Sequence, residues 1–234
     1  MNMISDPITL IKKSFEIFFK KENFIYFLKI YFPAFIISLL SVWRKSSGMT
    51  SELEKGNFQY FLDKPILIAL IVLVSLATLI FGIWFSAASL EAVISVVNSG
   101  TLAFKDTYKR AWGYALKLAL VSFLVGLIVV GGLILLIIPG IVFSVWFAFA
   151  RFRIAEKKLG IGASLKESKS LVTGRFWEVF GRLFVLSLFA IVGQIVFSFV
   201  PFVGPAILTI FGALFLLPHY LLYRELESGS VGKI

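Results

Sequence analysis

From Leu118 to Ala150 the chain carries no charged side chain, and this run sets the class of fold. About 20 consecutive apolar residues cross the hydrocarbon core of a bilayer as one helix, so a longer run must turn and cross again. Lipid offers no partner to backbone N–H and C=O groups, which leaves helices and closed barrels as the spanning structures. Pro139-Gly140 lies inside the run with no polar loop around it, which predicts a tight hairpin of two helices turning at that pair.

Apolar spans and basic segments alternate through the rest of the 234 residues. The chain is 59% hydrophobic and 15% charged, where a soluble domain carries about 25% charged residues. The predicted fold is all-α, a polytopic membrane bundle of six transmembrane helices with three interfacial amphipathic helices, forming a single integral membrane domain over residues 1–234. Spans are predicted at about 24–43, 65–89, 118–138, 141–155, 183–200 and 206–223, and amphipathic helices at about 7–20, 102–116 and 164–177.

Local signals support these assignments. Asp6-Pro7 reads as an N-cap followed by proline at the first helical position. Beyond it Ile8, Ile11, Phe15, Phe18 and Phe19 recur at helical spacing, opposite Lys12, Lys13, Glu16 and Lys20. Phe104, Tyr108, Ala111, Trp112, Ala115 and Leu116 repeat the pattern, with Lys105, Asp106, Lys109 and Arg110 facing away. Ser164 and Glu167 have capping-box spacing and predict the start of the third such helix. Whether these helices face lipid or the bundle is left open by periodicity alone.

Gly126, Gly131 and Gly132 are places where a neighbouring backbone can approach closely. Pro33 and Pro218 are expected bends, Arg44 to Lys64 an outer polar loop, Asn98-Ser99-Gly100 a helix break, and Pro201 to Pro205 a second uncharged turn. The tail from Arg224 is expected to fray. Short matches such as Phe104-Lys105-Asp106-Thr107 with Leu165-Lys166-Glu167-Ser168, and Trp84-Phe85 with Trp146-Phe147, suggest a unit of amphipathic helix, span, turn and span present three times.

A formal net charge of +10 points to nucleic acid only in a soluble protein. Here the basic residues lie mainly between spans, where they orient helices during insertion, and no nucleic-acid partner is expected. Arg44, Lys45, Lys55 and Lys64 fall on one side and the other nineteen of the 23 Lys and Arg on the opposite one. This predicts a multi-pass protein of the cell (cytoplasmic) membrane with both termini cytoplasmic. The amino terminus does not read as a signal peptide, since charges interrupt it every few residues.

Candidate contacts to anionic lipid headgroups are Lys105, Lys109 and Arg110, then Arg151, Arg153, Lys157 and Lys158, then Lys166, Lys169 and Arg175. Because 141–155 is short for a span, Arg151 and Arg153 are read as snorkelling interfacial anchors. Glu91, Gln194 and His219 are the candidate intramembrane polar site. Glu91 is expected near the inner interface, as a proton or cation site or as a solvated or Lys-paired group. With no cysteine, one histidine and no HExxH, GxSxG or phosphate-loop pattern, no catalytic residue, metal site or cofactor is expected.

At Ile138-Pro139-Gly140-Ile141, Phe152 to Glu156, Ala163 to Ser168 and Leu171 to Trp177 the chain resembles a prokaryotic family of six-span proteins. This is the membrane domain of glycerophosphoryl diester phosphodiesterase, together with related integral membrane families of uncharacterised function. The resemblance implies six spans and a membrane location. In some members the domain is fused to a soluble catalytic barrel, which these 234 residues do not accommodate, so it implies no activity here and carries no residue role. The function expected is a non-enzymatic scaffold, anchor or modulator of an envelope partner, in contact with membrane lipids. A transporter or channel for a lipid or small solute and a membrane-embedded lipid enzyme are the alternatives.

Overall fold

The computed structural model describes residues 4–46, 65–98, 100–200 and 204–231. Most of the predicted outer loop, Ser99 of the predicted break, the turn residues 201–203 and the last three residues of the tail lie outside the described residues. All regular structure among the described residues is α-helical, and six stretches are long and apolar enough to cross a membrane.

Helix α1 (Pro7–Phe19) starts as its sequence requires. Asp6 Oδ1 accepts from the backbone N–H of Ile8 at 2.7 Å and of Thr9 at 3.0 Å, and Thr9 Oγ1 donates to Oδ2 at 2.7 Å. These bonds, the Thr9 hydroxyl foremost, hold the Asp6 carboxyl below its ordinary value. One edge of α1, with Leu10, Ser14 and Phe18, is buried; another edge, with Ile8, Phe15 and Phe19, is exposed. Phe18 stacks on Phe27 and Phe211 with ring centroids 5.4 and 5.6 Å away, fastening α1 to the bundle.

Helix α2 (Lys21–Ser46) runs through Pro33 without a break, and α3 (Pro65–Asn98) follows. At 34 residues α3 is about 50 Å long, well beyond a hydrocarbon core of about 30 Å. Its burial is graded. Leu70, Leu73, Leu76, Leu79 and Ile80 are exposed, whereas Ala87 through Val93 are buried under α4 (Phe104–Trp112) and their neighbours. Helix α4 is fixed by polar bonds: the Tyr26 hydroxyl lies 2.7 Å from Thr107 Oγ1, Tyr108 OH donates to Ile30 O at 2.8 Å, and Trp84 Nε1 donates to Tyr108 O at 3.0 Å. It buries Thr107, Tyr108 and Ala111 and leaves Phe104 and Trp112 exposed.

Helix α5 (Ala115–Leu135) ends at Leu136, whose extended backbone, φ −159° and ψ 137°, makes the hairpin turn into α6 (Ile137–Phe147). The hairpin is where the uncharged run predicts it, but Pro139 and Gly140 lie in the first turn of α6. Proline is tolerated there because its missing N–H has no intrahelical partner. Gly140 serves contact between the two arms: a Cβ on Gly132 would stand 2.9 Å from Gly140 Cα. Gly126 and Gly131 have open space instead.

Helix α6 continues after a break at Ala148-Phe149 into α7 (Ala150–Lys157), and the pair forms a 21-residue span from Ile137 to Lys157. That length is about 31 Å, so this span needs none of the bilayer thinning that a 15-residue helix demands. Helix α8 (Ile161–Val172) has Gly160 as its N-cap. The capping box is not formed: Ser164 lies inside the helix and donates to Ile161 O at 2.7 Å. Packing of Ile161 and Ser164 against the core draws the helix start three residues upstream of the predicted cap. The helix stops at Val172, short of the predicted 177, because Gly174 takes φ +86° before α9 (Phe176–Ser198) begins.

Helices α10 (Gly204–Ile210) and α11 (Gly212–Val231) complete the sixth span. The tail expected to fray is helical to Val231, held by carboxylates at 225 and 227. Ser5 donates from its backbone N–H at 2.9 Å and its hydroxyl at 2.7 Å to Glu225, while Arg182 donates to Ile4 O at 2.7 Å and Ser5 O at 2.8 Å. Among the described residues the elements follow one another as a short helix and then two long apolar stretches, and the start of the described chain is bound to Glu225 near its end.

Candidate functional site

Charged side chains converge at the polar end, where α3, α7, α8 and α11 meet. Arg153 on α7 is 4% exposed. Its Nη1 lies 2.7 Å from Glu227 Oε1 and 3.4 Å from Glu167 Oε2, and its guanidinium carbon stands 5.3 Å from the centre of the Tyr223 ring. Lys157 Nζ approaches the same two carboxylates at 3.1 and 3.7 Å. Arg224 Nη1 lies 3.5 Å from Glu156 Oε1 and 3.7 Å from Glu227 Oε2. Glu156 also accepts from Tyr220 OH and, at 3.1 Å, from Asn98 Nδ2, which donates to Tyr220 OH at 2.8 Å as well. Three cations and three carboxylates are thereby interlocked across α7, α8 and α11, with Asn98 joining them from α3.

Beside this network is a cavity of about 680 Å³, lined by Glu91, Asn98, Arg110, Tyr114, Lys117, Glu156 and Lys158 with Ile94, Gly113 and Ala155. Glu91 forms its inner wall and is 8% exposed, because the graded burial of α3 places this turn under α4. Tyr114 OH donates to Glu91 Oε2 at 3.1 Å and lies 3.0 Å from Ala87 O. Arg110 Nη1 stands 3.8 Å from Glu91 Oε1, a long contact from a largely exposed side chain. Burial, and after it the adjacent Glu91 carboxylate, pushes the Tyr114 phenol well above its ordinary value, and burial alone pushes Tyr108 up to about 12. Both remain neutral hydrogen-bonding groups at any physiological pH.

Lys158 is the left-handed C-cap of α7, with φ 53° and ψ 30°, a conformation in which an L side chain is strained and glycine is the usual occupant. Neither Lys158 nor Lys117 has an ion pair within 4 Å among the described residues, whereas both carboxylates of the lining are engaged.

The remaining sequence-predicted residues are scattered. Lys105 and Lys109 are exposed on α4, Arg151 on α7 and Lys166 on α8. Lys169 is exposed with its Nζ 4.1 Å from the centre of the Trp146 ring, and Arg175 is half-buried at the turn before α9. Arg153, read from sequence as a snorkelling anchor, sits inside the charge network because α11 runs on to Val231 and brings Tyr223 and Glu227 against it. Gln194 is exposed on α9, and His219 is half-buried with Nδ1 3.0 Å from Phe215 O. Neither lines the cavity that contains Glu91. Among the described residues no three His, Cys, Asp or Glu side chains come together as metal ligands.

Comparison with known proteins gives no match. No family model, no curated protein and no solved structure is similar to this chain. Its membrane class therefore rests on its own six apolar stretches, which suit an integral, multi-pass membrane protein.

Sequence reasoning missed Asn98, Tyr114, Lys117, Glu156, Glu167, Tyr220 and Glu227. Asn98 is the last and Glu156 the penultimate residue of a candidate span, and Tyr114 and Lys117 flank the start of another. Polar residues at span ends whose helices pack together are the signal that was available.

Proposed function

We propose that the protein is a non-enzymatic scaffold, anchor or modulator of the cytoplasmic membrane, with both termini cytoplasmic, that holds anionic lipid headgroups at its polar end and supports an envelope partner there. The observation that carries this reading is the double edge of the short helices. Helices α1 and α4 bury one apolar edge in the bundle, yet keep Phe15, Phe19, Phe104 and Trp112 exposed next to lysines, Trp112 at 63%. Trp177, at 78%, does the same beside Arg175 after α8. Exposed aromatics flanked by cations suit the boundary between headgroups and acyl chains. Transport would call for Glu91, Gln194 and His219 along one path, and the cavity of Glu91 includes neither of the others. The resemblance to the membrane domain of glycerophosphoryl diester phosphodiesterase is in keeping with a helical membrane module that acts without chemistry of its own.

The test is lipid retention. Protein extracted in mild detergent is expected to carry anionic phospholipid in excess over its share of the membrane, and K166Q/K169Q/R175Q to lose part of that excess; equal lipid profiles would overturn the reading. Orientation has its own test, because the chain lacks cysteine. In intact cells an impermeant maleimide should label Gly56→Cys and spare Gly160→Cys, and the reverse pattern would invert the topology.

A further inference from the structure

The cavity beside Glu91 has a charge balance that its own side chains leave open. Its cations come from three separate elements: Arg110 from α4, Lys117 from the first turns of α5, and Lys158 from the end of α7. Its carboxylates are already engaged, Glu91 by Tyr114 and Arg110, and Glu156 by Tyr220, Asn98 and Arg224. The lining itself holds three cations and two carboxylates, and neither of its lysines has an ion pair within 4 Å among the described residues. A monoanion complements that balance, while a dianion would meet Glu91 and Glu156 with a charge to spare.

Lys158 adds an independent observation. Its left-handed backbone asks for glycine, and the glycine two residues on, Gly160, has an ordinary extended backbone with φ −72° that any residue adopts. The chain thus places a lysine where conformation favours glycine, and residues in sparsely populated backbone regions are concentrated at functional sites. The strained position contributes a lysine to the lining of the cavity.

Depth selects the kind of anion. Asn98 is the last residue of one candidate span, Lys117 lies two residues into another, and Lys158 follows the last residue of a third. The cavity therefore opens at the level where helices leave the hydrocarbon, which is the level of lipid phosphates. Its volume of about 680 Å³ lies in the ordinary range for small-molecule sites, roughly 300–1,000 Å³.

We propose that this cavity binds the singly charged phosphate of one phospholipid headgroup, with Lys117, Lys158 and Arg110 donating to its oxygens and Glu91 and Glu156 excluding doubly charged phosphates. The proposal rests on the reading of the polar end as a lipid-facing surface and narrows it to one stoichiometric site. A headgroup held there ties α4, α5 and α7 together through its oxygens, so lipid occupancy stiffens the end of the bundle that carries the charge network.

The experiment uses full-length protein, stripped of lipid in a neutral maltoside and titrated with dihexanoyl-phosphatidylglycerol, dihexanoyl-phosphatidic acid or inorganic phosphate. Binding and thermal midpoint are followed by tryptophan fluorescence. The expected result is saturable, one-to-one binding of the phosphatidylglycerol, weaker binding of the phosphatidic acid, and no competition by inorganic phosphate. K117Q/K158Q is expected to weaken binding roughly tenfold or more, since each charge-assisted bond contributes about that factor. Lys158→Gly is expected to weaken it as well while raising the thermal midpoint of the lipid-free protein, which separates lost binding from lost folding.

Unchanged binding in K117Q/K158Q or in Lys158→Gly would overturn the proposal. Equal binding and displacement by inorganic phosphate would overturn its lipid source and leave a soluble phosphate as the ligand. K166Q/K169Q/R175Q separates the two readings. It should keep the one-to-one site; if it alone loses lipid, the broader headgroup reading stands and this site fails.

Discussion

Arg153→Met removes the buried cation that joins α7, α8 and α11, and its cost can be worked from the neighbouring distances. Removing one partner of a buried ion pair costs about 3–5 kcal/mol, because the other charge is left without compensation. Here the stranded carboxylates keep other partners: Glu227 retains Lys157 at 3.1 Å and Arg224 at 3.7 Å, and Glu167 retains Lys157 at 3.7 Å. That redundancy lowers the electrostatic loss to about 2 kcal/mol, and losing the guanidinium from the Tyr223 ring adds about 0.5–1 kcal/mol. Methionine keeps most of the volume, so packing changes little. Equilibrium unfolding in mixed maltoside and dodecyl sulfate micelles should therefore show Arg153→Met less stable by about 2–3 kcal/mol. Glu227→Gln supplies the second arm of a double-mutant cycle, with an expected coupling of at least about 1 kcal/mol. A coupling near zero, or a single variant as stable as the parent, would refute the argument that this network holds α11 against α7.

Two further perturbations test the fold. Gly140→Ala places a Cβ 2.4 Å from Leu133 Cγ and 2.7 Å from Leu133 N, so it should destabilise the α5–α6 hairpin by about 1–3 kcal/mol in the same unfolding assay, while Gly126→Ala, which meets nothing within 4 Å, should be tolerated. Asp6→Ala should lower the thermal midpoint at neutral pH. Because the Asp6 carboxyl is depressed in the folded chain, its contribution is complete above the usual carboxylate range and is lost as pH falls through the folded value; the two midpoints should converge in acid, and a constant gap would contradict the capping geometry.

The membrane class was legible because it depends on the length of apolar runs, and the uncharged stretch from Leu118 to Ala150 allows little else. Boundaries were less so, because they depend on packing that local rules do not contain. Pro139-Gly140 has the composition of a turn, yet the chain turns at Leu136, since the contact between Gly132 and Gly140 requires both glycines to be inside facing helices. Ser164 and Glu167 have the spacing of a cap, yet both are claimed by tertiary partners: Ser164 by the core and Glu167 by Arg153 and Lys157. In each case a local motif lost to a contact made with a distant element.

In the candidate site, too, packing decides what each basic residue does. Arg153 and Lys158 are five residues apart and equally basic in sequence, so both serve orientation equally well. In the structure α11 extends over the former and buries it among carboxylates, whereas the end of α7 swings the latter into a left-handed turn at the mouth of a cavity. Glu91 divides from an ordinary surface carboxylate for a related reason. Helix α3 is about 20 Å longer than the membrane requires, and the excess is covered by α4 instead of being left in water, so a carboxylate expected at an interface becomes the wall of a pocket. Helix α4, lying over the projecting end of α3, thus buries Glu91 beside Tyr114 and Arg110, and the two lysines of the same lining that make no ion pair, Lys117 and Lys158, are the ones left to hold a ligand.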